Sequence, residues 1–387
     1  MESIVVKFSK KVANTRQTRS LEAIRPEMAI ASEDTAKTTF EVHSLDQQQR
    51  AELDKDPEYL VADKMDLNLI QTLDEHSQHP PFVPQDSEKI TWGLKAVGAD
   101  ESNLDGQGVR IAVLDTGIES DHPAFDGVTI TSKNFSTDVP EDNHGHGTHC
   151  AGTIFGRDVD GKRIGVARGV TEAFIAKVIP GQTDALINAL NWAFENDVRV
   201  ASMSLGIDFP GFAHSLMYNR GMDPRAATSK ALSEYRANMA VFDTLLETFR
   251  ARELMGRGMV IVAATGNESQ RPRFTIDASP PSAAFGMIRV GAVRQSGDEF
   301  IVADFSNTKP LVVGPGVDVE SAALGGGLVA LSGTSMATPH VAGIAALHWQ
   351  KAHPSTNATI VAAQLQANAN NIDLSWDDVG IGMATAP

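Results

Sequence analysis

One cysteine, Cys150, stands in a chain of 387 residues. That excludes an internal disulfide and suits a reducing compartment. Basic residues are also short: 33 Lys and Arg against 49 Asp and Glu give a formal charge of −16. Such a surface repels polyanions, so neither nucleic acid nor an anionic membrane is an expected partner. No run of 18 apolar residues occurs, which leaves nothing to span a bilayer. The opening MESIVVKFSKKVANTRQTRS lacks the apolar core and small-residue cleavage site of a secretory signal. A cytoplasmic location is therefore expected, or a secreted one if a leader is missing from this sequence.

What is present reads as globular. With 42% hydrophobic and 21% charged residues, the chain has room for a large core and a second, smaller unit. Residues 1–78 read as that smaller α+β unit. SIVVKF is a strand by its β-branched residues. SLDQQQRAELDKDP is a helix with Ser44 as its cap, and EYLVADKMDLNLI alternates in part like a strand. The segment HSQHPPFVPQDSEK, rich in proline and polar residues, marks a linker at 79–89.

From 90 to 387 the pattern becomes strands alternating with helices. VRIAVLDTG, AFIAKVI, VRVASMSLG, GMVIVAATGN, MIRVGAV and LVVGPG are apolar runs that end in small or polar residues, with TDALINALNWAFEND as an intervening helix. The fold class expected is α/β, three layers around a mostly parallel sheet. In such sheets ligand chemistry collects beyond the carboxyl ends of the strands. Asp115, Ser204 and Asn267 fall at such ends. Within 207–255 a helix is expected from Ala226 to Leu254, with an apolar stripe of Leu232, Tyr235, Met239, Phe242, Leu246 and Phe249.

Three segments carry chemistry together: AVLDTGIESDHP with Asp115, DNHGHGTHCAGT with His146, and SGTSMATPH with Ser335. A serine hydroxyl is too weakly acidic to attack an amide unaided. A neutral imidazole must take its proton, and a carboxylate must hold that imidazole's tautomer and offset its charge. Asn267, in ATGNE, offers an amide donor to the oxyanion, and the Ser335 N–H at its helix start offers a second.

On these motifs the chain resembles the subtilisin-like serine proteases, or subtilases, over residues 88–370. VLDTGI, HGTHCAG, AATGNE and GTSMATPHVAG match the family's segments for the aspartate, the histidine, the oxyanion asparagine and the nucleophile. The resemblance implies catalytic roles for Asp115, His146 and Ser335, an oxyanion role for Asn267, and a structural role for His149. SMSLG matches the edge that pairs with substrate backbone, which implies that Ser204, Leu205 and Gly206 bind substrate, with Gly266 in the adjoining pocket. Cys150 in the histidine motif is similar to the proteinase K branch. Pro281 matches a proline that is often cis in the family. The unit at 1–78 resembles the family propeptide, which implies a zymogen whose own N-terminal domain inhibits it and is cut away between Leu73 and Glu88.

Two departures stand out. The family's strong calcium uses an Asp where this chain has Ala124, so calcium at the usual position is not supported. Asp158 and Asp160 have a spacing that suits a hard cation but read as a solvated turn, so no metal is expected, and the chemistry needs no cofactor. The 207–255 segment is longer than the family requires. The expected function is a serine endopeptidase acting on protein or peptide substrates through an acyl-enzyme on Ser335. An idle subtilase-like binding or regulatory protein is the alternative, which the complete residue set disfavours.

Overall fold

The structure, a computed structural model, describes residues 2–8, 38–70, 89–207, 209–253, 258–352 and 356–387. Apart from Lys89, the expected linker and processing region lie outside the described residues. The N-terminal unit contributes β1 (Glu2–Lys7), β2 (Thr39–Ser44), α1 (Gln47–Leu53), β3 (Tyr59–Asp63) and β4 (Asp66–Leu69). Strand β1 pairs antiparallel with β2 on one side and β3 on the other. Ser44 ends β2 and does not cap α1. Asp46 does so, accepting from Gln49 N while the Gln49 side chain accepts from Asp46 N. That reciprocal pair satisfies two backbone donors, which one serine further upstream would not.

The larger part contains α2 (Trp92–Ala96), β5 (Ile111–Asp115), β6 (Thr129–Asn134), α3 (His146–Phe155), β7 (Glu172–Lys177), β8 (Gly181–Gln182), α4 (Thr183–Glu195), β9 (Val200–Met203), β10 (Leu205–Gly206), α5 (Phe209–Tyr218) and α6 (Pro224–Ala251). It continues with β11 (Val260–Ala264), β12 (Ile288–Ser296), β13 (Glu299–Val302), β14 (Val312–Pro315), β15 (Val319–Ala322), β16 (Leu328–Leu331), α7 (Thr334–Lys351), α8 (Ala358–Ala367) and α9 (Trp376–Val379). The central sheet runs β13-β12-β11-β9-β5-β7-β6, with β14 beside β12. Every pair in it is parallel except β12 with β13.

Alternation along the buried strands divides the core in two. Ile111 and Val113 of β5 join α3 and α7 in one cluster, while Ala112 and Leu114 join α4 and α6 in the other. The second cluster also takes in Ile4, Val6, Met65 and Leu67, so the N-terminal unit docks on that face. The three-layer α/β/α expectation holds.

Helix α6 departs from its expected stripe. Phe242, Leu246 and Phe249 are buried, but Leu232 is exposed, and Ala231, Glu234, Asn238 and Val241 face inward instead. The reason is its neighbour: this half of α6 packs on β3, and its buried polar groups bond that strand. Glu234 accepts from Asp63 N at 3.2 Å, and Asn238 Nδ2 donates to Asp63 O at 3.1 Å. Periodicity counts apolar residues and misses a face that is buried through hydrogen bonds.

Candidate active site

Asp115 ends β5, and Thr116 N donates to its Oδ1 at 2.8 Å. His146 opens α3, and its Nδ1 bonds the same oxygen at 2.8 Å. The start of α3 lies against the loop after β5 so closely that a Cβ on Gly147 would sit 2.2 Å from the Gly117 carbonyl. Glycine at 147 is therefore what lets the histidine reach the aspartate. Asp142, also buried, fixes that helix start. It accepts from Gly145 N (2.8 Å), His144 N (3.0 Å), Thr116 Oγ1 (3.0 Å), and Thr148 N and Oγ1 (3.0 and 2.7 Å). These donors hold its carboxyl below the usual range despite burial.

The His146–Asp115 pair is fully enclosed. Burial works against a charged imidazole, yet the Asp115 carboxylate beside it holds the His146 pKa well above its ordinary value of 6.5. His149, one turn on, is different. Burial pushes it down to about 3, and its Nε2 bonds the carbonyls of Val319 (2.9 Å) and Val329 (3.2 Å), tying α3 to the β15–β16 hairpin. Cys150 is buried beneath the pair, its Sγ 3.5 Å from the Ser335 carbonyl and 3.8 Å from His146 Nδ1. Burial raises its thiol pKa, so it stays protonated.

Ser335 lies in the first turn of α7. Ser204 and Ser335 face each other: Ser204 Oγ donates to the Ser335 carbonyl at 2.9 Å, and the Ser204 carbonyl lies 3.3 Å from Ser335 Oγ. Asn267 follows β11. Its Oδ1 accepts from Thr334 N (2.9 Å) and Thr334 Oγ1 (2.8 Å), which fixes the amide and aims its Nδ2 along Gly333. A Cβ on Gly333 would lie 2.8 Å from that nitrogen. The structure thus gathers Asp115, His146, Ser335, Asn267 and Ser204 at one end of the sheet. The Pro280–Pro281 bond is cis, as expected.

A peptide segment already occupies this place. Strand β4 pairs antiparallel with β10 through Leu69↔Leu205 and Asn68↔Gly206, and with β8 through Leu67↔Gly181 and Asp66↔Gln182. The next carbonyl, that of Ile70, lies 3.2 Å from Ser335 Oγ, which donates to it. His146 Nε2 has no hydrogen-bond partner among the described residues. Leu67 and Ile70 are buried, each contributing about 1.5–3 kcal/mol to the grip. Ile70 Cδ1 would lie 3.7 Å from a Cβ on Gly206, so Gly206 floors the pocket that holds Ile70. Sequence reasoning named the β10 edge but missed β8, whose two residues are too short to register as a strand. It also missed Asp142 and Thr334, although both sit inside quoted motifs.

A calcium ion does not fit the loop that follows α3. Arg157 occupies its carbonyls, donating to Phe155 O (3.0 Å), Val170 O (2.8 Å) and Arg168 O, and Ala124 supplies no carboxylate. Asp158 pairs with Arg168 at 3.5 Å on the surface. Among the described residues, the His, Cys, Asp and Glu group close enough to share a metal is Asp115, His146 and Cys150, whose Asp115 and His146 bond one another. No described helix is long and apolar enough to cross a membrane.

The family described as Peptidase S8, the subtilase family, matches residues 106–382. The chain is 29% identical to the alkaline protease of Alkalihalobacillus alcalophilus, over 100% of this chain and 90% of that one. It is 31% identical to subtilisin Savinase of Lederbergia lenta, over 78% and 98% respectively. It is 30% identical to the major intracellular serine protease of Bacillus subtilis, over 68% and 76%.

Proposed function

The chain belongs to the subtilase family, and from that premise we propose that it is a serine endopeptidase made with an inhibitory N-terminal unit that it removes itself. The observation that carries the reading is β4, held as an added strand between β10 and β8 with the Ile70 carbonyl 3.2 Å from Ser335 Oγ. An extended peptide bound through backbone bonds is what an endopeptidase of broad reach needs. The same placement makes residues 1–70 both first substrate and first inhibitor, with the Ile70–Gln71 bond as the cut. This reading puts the cut three residues before the Leu73–Glu88 range, and what supports it is the register of β4 against β10 and β8.

In the reaction, neutral His146 takes the Ser335 Oγ proton as Oγ bonds the carbonyl carbon. Asp115 holds the imidazole by Nδ1 and offsets the charge it gains. The carbonyl oxygen, now anionic, is met by Asn267 Nδ2 and the Ser335 N–H. His146 then returns the proton to the leaving amide nitrogen, and water releases the acyl group by the same steps. In the closed state Ser335 Oγ bonds Ile70 O, so the hydroxyl must first turn toward His146 Nε2. The intact residue set disfavours an idle protein. A single buried thiol and the likeness to a protease named intracellular fit a cytoplasmic setting.

Intact mass followed over time tests the reading. The native chain should lose residues 1–70 and begin at Gln71, while Ser335→Ala stays whole. If both chains stay whole and neither hydrolyses a peptide, the proposal fails.

A further inference from the structure

Between α5 and β4 lies an open polar cavity of about 490 Å³, whose walls include Asp66, Asn68, Gln182, Phe212, Ser215 and Arg220. Helix α5 belongs to the long 207–255 segment, which the reaction leaves without a role. Along β4 the side chains alternate: Leu67 is buried, while Asp66 and Asn68 are exposed on the other side and line the cavity. Counting back from the Ile70–Gln71 bond, Asn68 is the third residue and Asp66 the fifth. Outward side chains of a bound strand ordinarily meet water alone. Here α5 supplies a wall, with Phe212 and Ser215 half-buried in it and Arg220 just beyond its end.

Charge gives the cavity a preference. Gln182 Nε2 donates to Asp66 Oδ1 at 2.8 Å. Once residues 1–70 are gone, Arg220 is the charged side chain that remains among the lining residues. Two residues further back the sign reverses: Lys64, the seventh residue before the cut, pairs with Asp184 at 3.2 Å. The surface that holds this strand therefore presents the Gln182 amide at one position, with Arg220 elsewhere in the same cavity wall, and a carboxylate at the next but one.

We propose that α5, Gln182 and Arg220 form an additional substrate subsite that takes an acidic side chain at the fifth residue before the cut bond. This rests on the endopeptidase reading above. The subsite acts through binding remote from the reacting atoms, so it is read in kcat/KM.

The test uses the matured enzyme and three fluorescence-quenched peptides carrying the Met65–Gln71 sequence, with Asp, Asn or Lys at the fifth place. At low salt Asp should exceed Lys by about two- to fivefold in kcat/KM, and the gap should shrink as salt rises. Arg220→Glu should reverse the order in favour of the Lys peptide, a gain that misfolding cannot produce. Equal rates for all three peptides, or an order that Arg220→Glu leaves unchanged, would overturn the subsite. Failure of enzyme that has shed residues 1–70 to cut any of the three peptides would overturn the subsite, whereas a chain that never sheds them and cuts no peptide sinks the endopeptidase reading itself.

Discussion

The carboxylate of Glu234, on α6, accepts a hydrogen bond at 3.2 Å from the backbone N–H of Asp63, at the end of β3. Glu234 is only 3% exposed, and Arg50 and Lys230 flank it, each 3.2 Å from Oε1. Arg50 comes from the N-terminal unit and bonds Asp63 as well, so the contact is a shared charge network across the docking face. Glu234→Ala leaves Arg50 and the Asp63 N–H short of a partner, at a cost of about 2 kcal/mol. When residues 1–70 are added as a separate chain, they should then inhibit the matured Glu234→Ala enzyme roughly thirtyfold less tightly than the parent. Hydrolysis by the uninhibited enzyme should be unchanged, since Glu234 touches no reacting group. An unaltered inhibition constant would remove Glu234 from the grip.

Acid should hold the chain in its uncut form. The His146 pKa is raised in the closed state by Asp115, so the charge pair contributes stability that is complete below the ordinary value of 6.5 and is lost as pH climbs through the raised value. The base form needed for attack appears over the same climb. Self-cleavage, followed by gel or mass against pH, should therefore rise with an apparent pKa above 6.5. A rate that has already levelled off at pH 6 would contradict the assignment of His146 as the controlling base.

Gly333→Ala should lower kcat with little change in KM. The new Cβ would stand 2.8 Å from Asn267 Nδ2 and push that amide from the position set by Thr334. Losing such a donor outright costs about 10²–10³ in rate, so a displaced one should cost at least about tenfold. Steady-state kinetics on a short peptide decide the point, and an effect confined to KM would show that the amide acts in binding alone.

Chelator should not weaken the fold around α3. Arg157 already donates to the loop carbonyls of Phe155, Arg168 and Val170. Thermal unfolding of the Ser335→Ala chain, which does not digest itself, should give the same midpoint in EDTA as in millimolar calcium. Arg157→Ala should lose about 1–3 kcal/mol by stranding buried carbonyls. A midpoint that drops in EDTA for the parent would mean that a cation binds somewhere after all.

The four motif segments were legible because each places chemistry at a strand end or helix start, where local sequence dictates local geometry. Asp115 closes an apolar β5, and Ser335 sits in the first turn of α7, which Gly333 caps. The central sheet was legible for the same reason, since buried parallel strands read as unbroken apolar runs. The docking of β4 was not. Two edges contributed by Gly181–Gln182 and Leu205–Gly206 define its register, and pairings so far apart in the chain leave no periodic trace. The inward face of α6 was hidden too, because Glu234 and Asn238 are buried for their hydrogen bonds and not for their hydrophobicity. The cap of α1 shifted from Ser44 to Asp46 since the reciprocal partner, Gln49, lies three residues beyond the latter.

The sheet keeps two trades apart. Helices α3 and α7, which carry His146 and Ser335, pack on one side of it, while α4, α6 and the N-terminal unit pack on the other. Four residues of β4 are the bridge between them. Substitutions at α6 contacts such as Glu234 and Asn238 can therefore change how firmly the N-terminal unit is held without reaching His146 or Ser335. The hold of the N-terminal unit and the geometry around Asp115 and His146 can therefore drift separately in descendants of one scaffold.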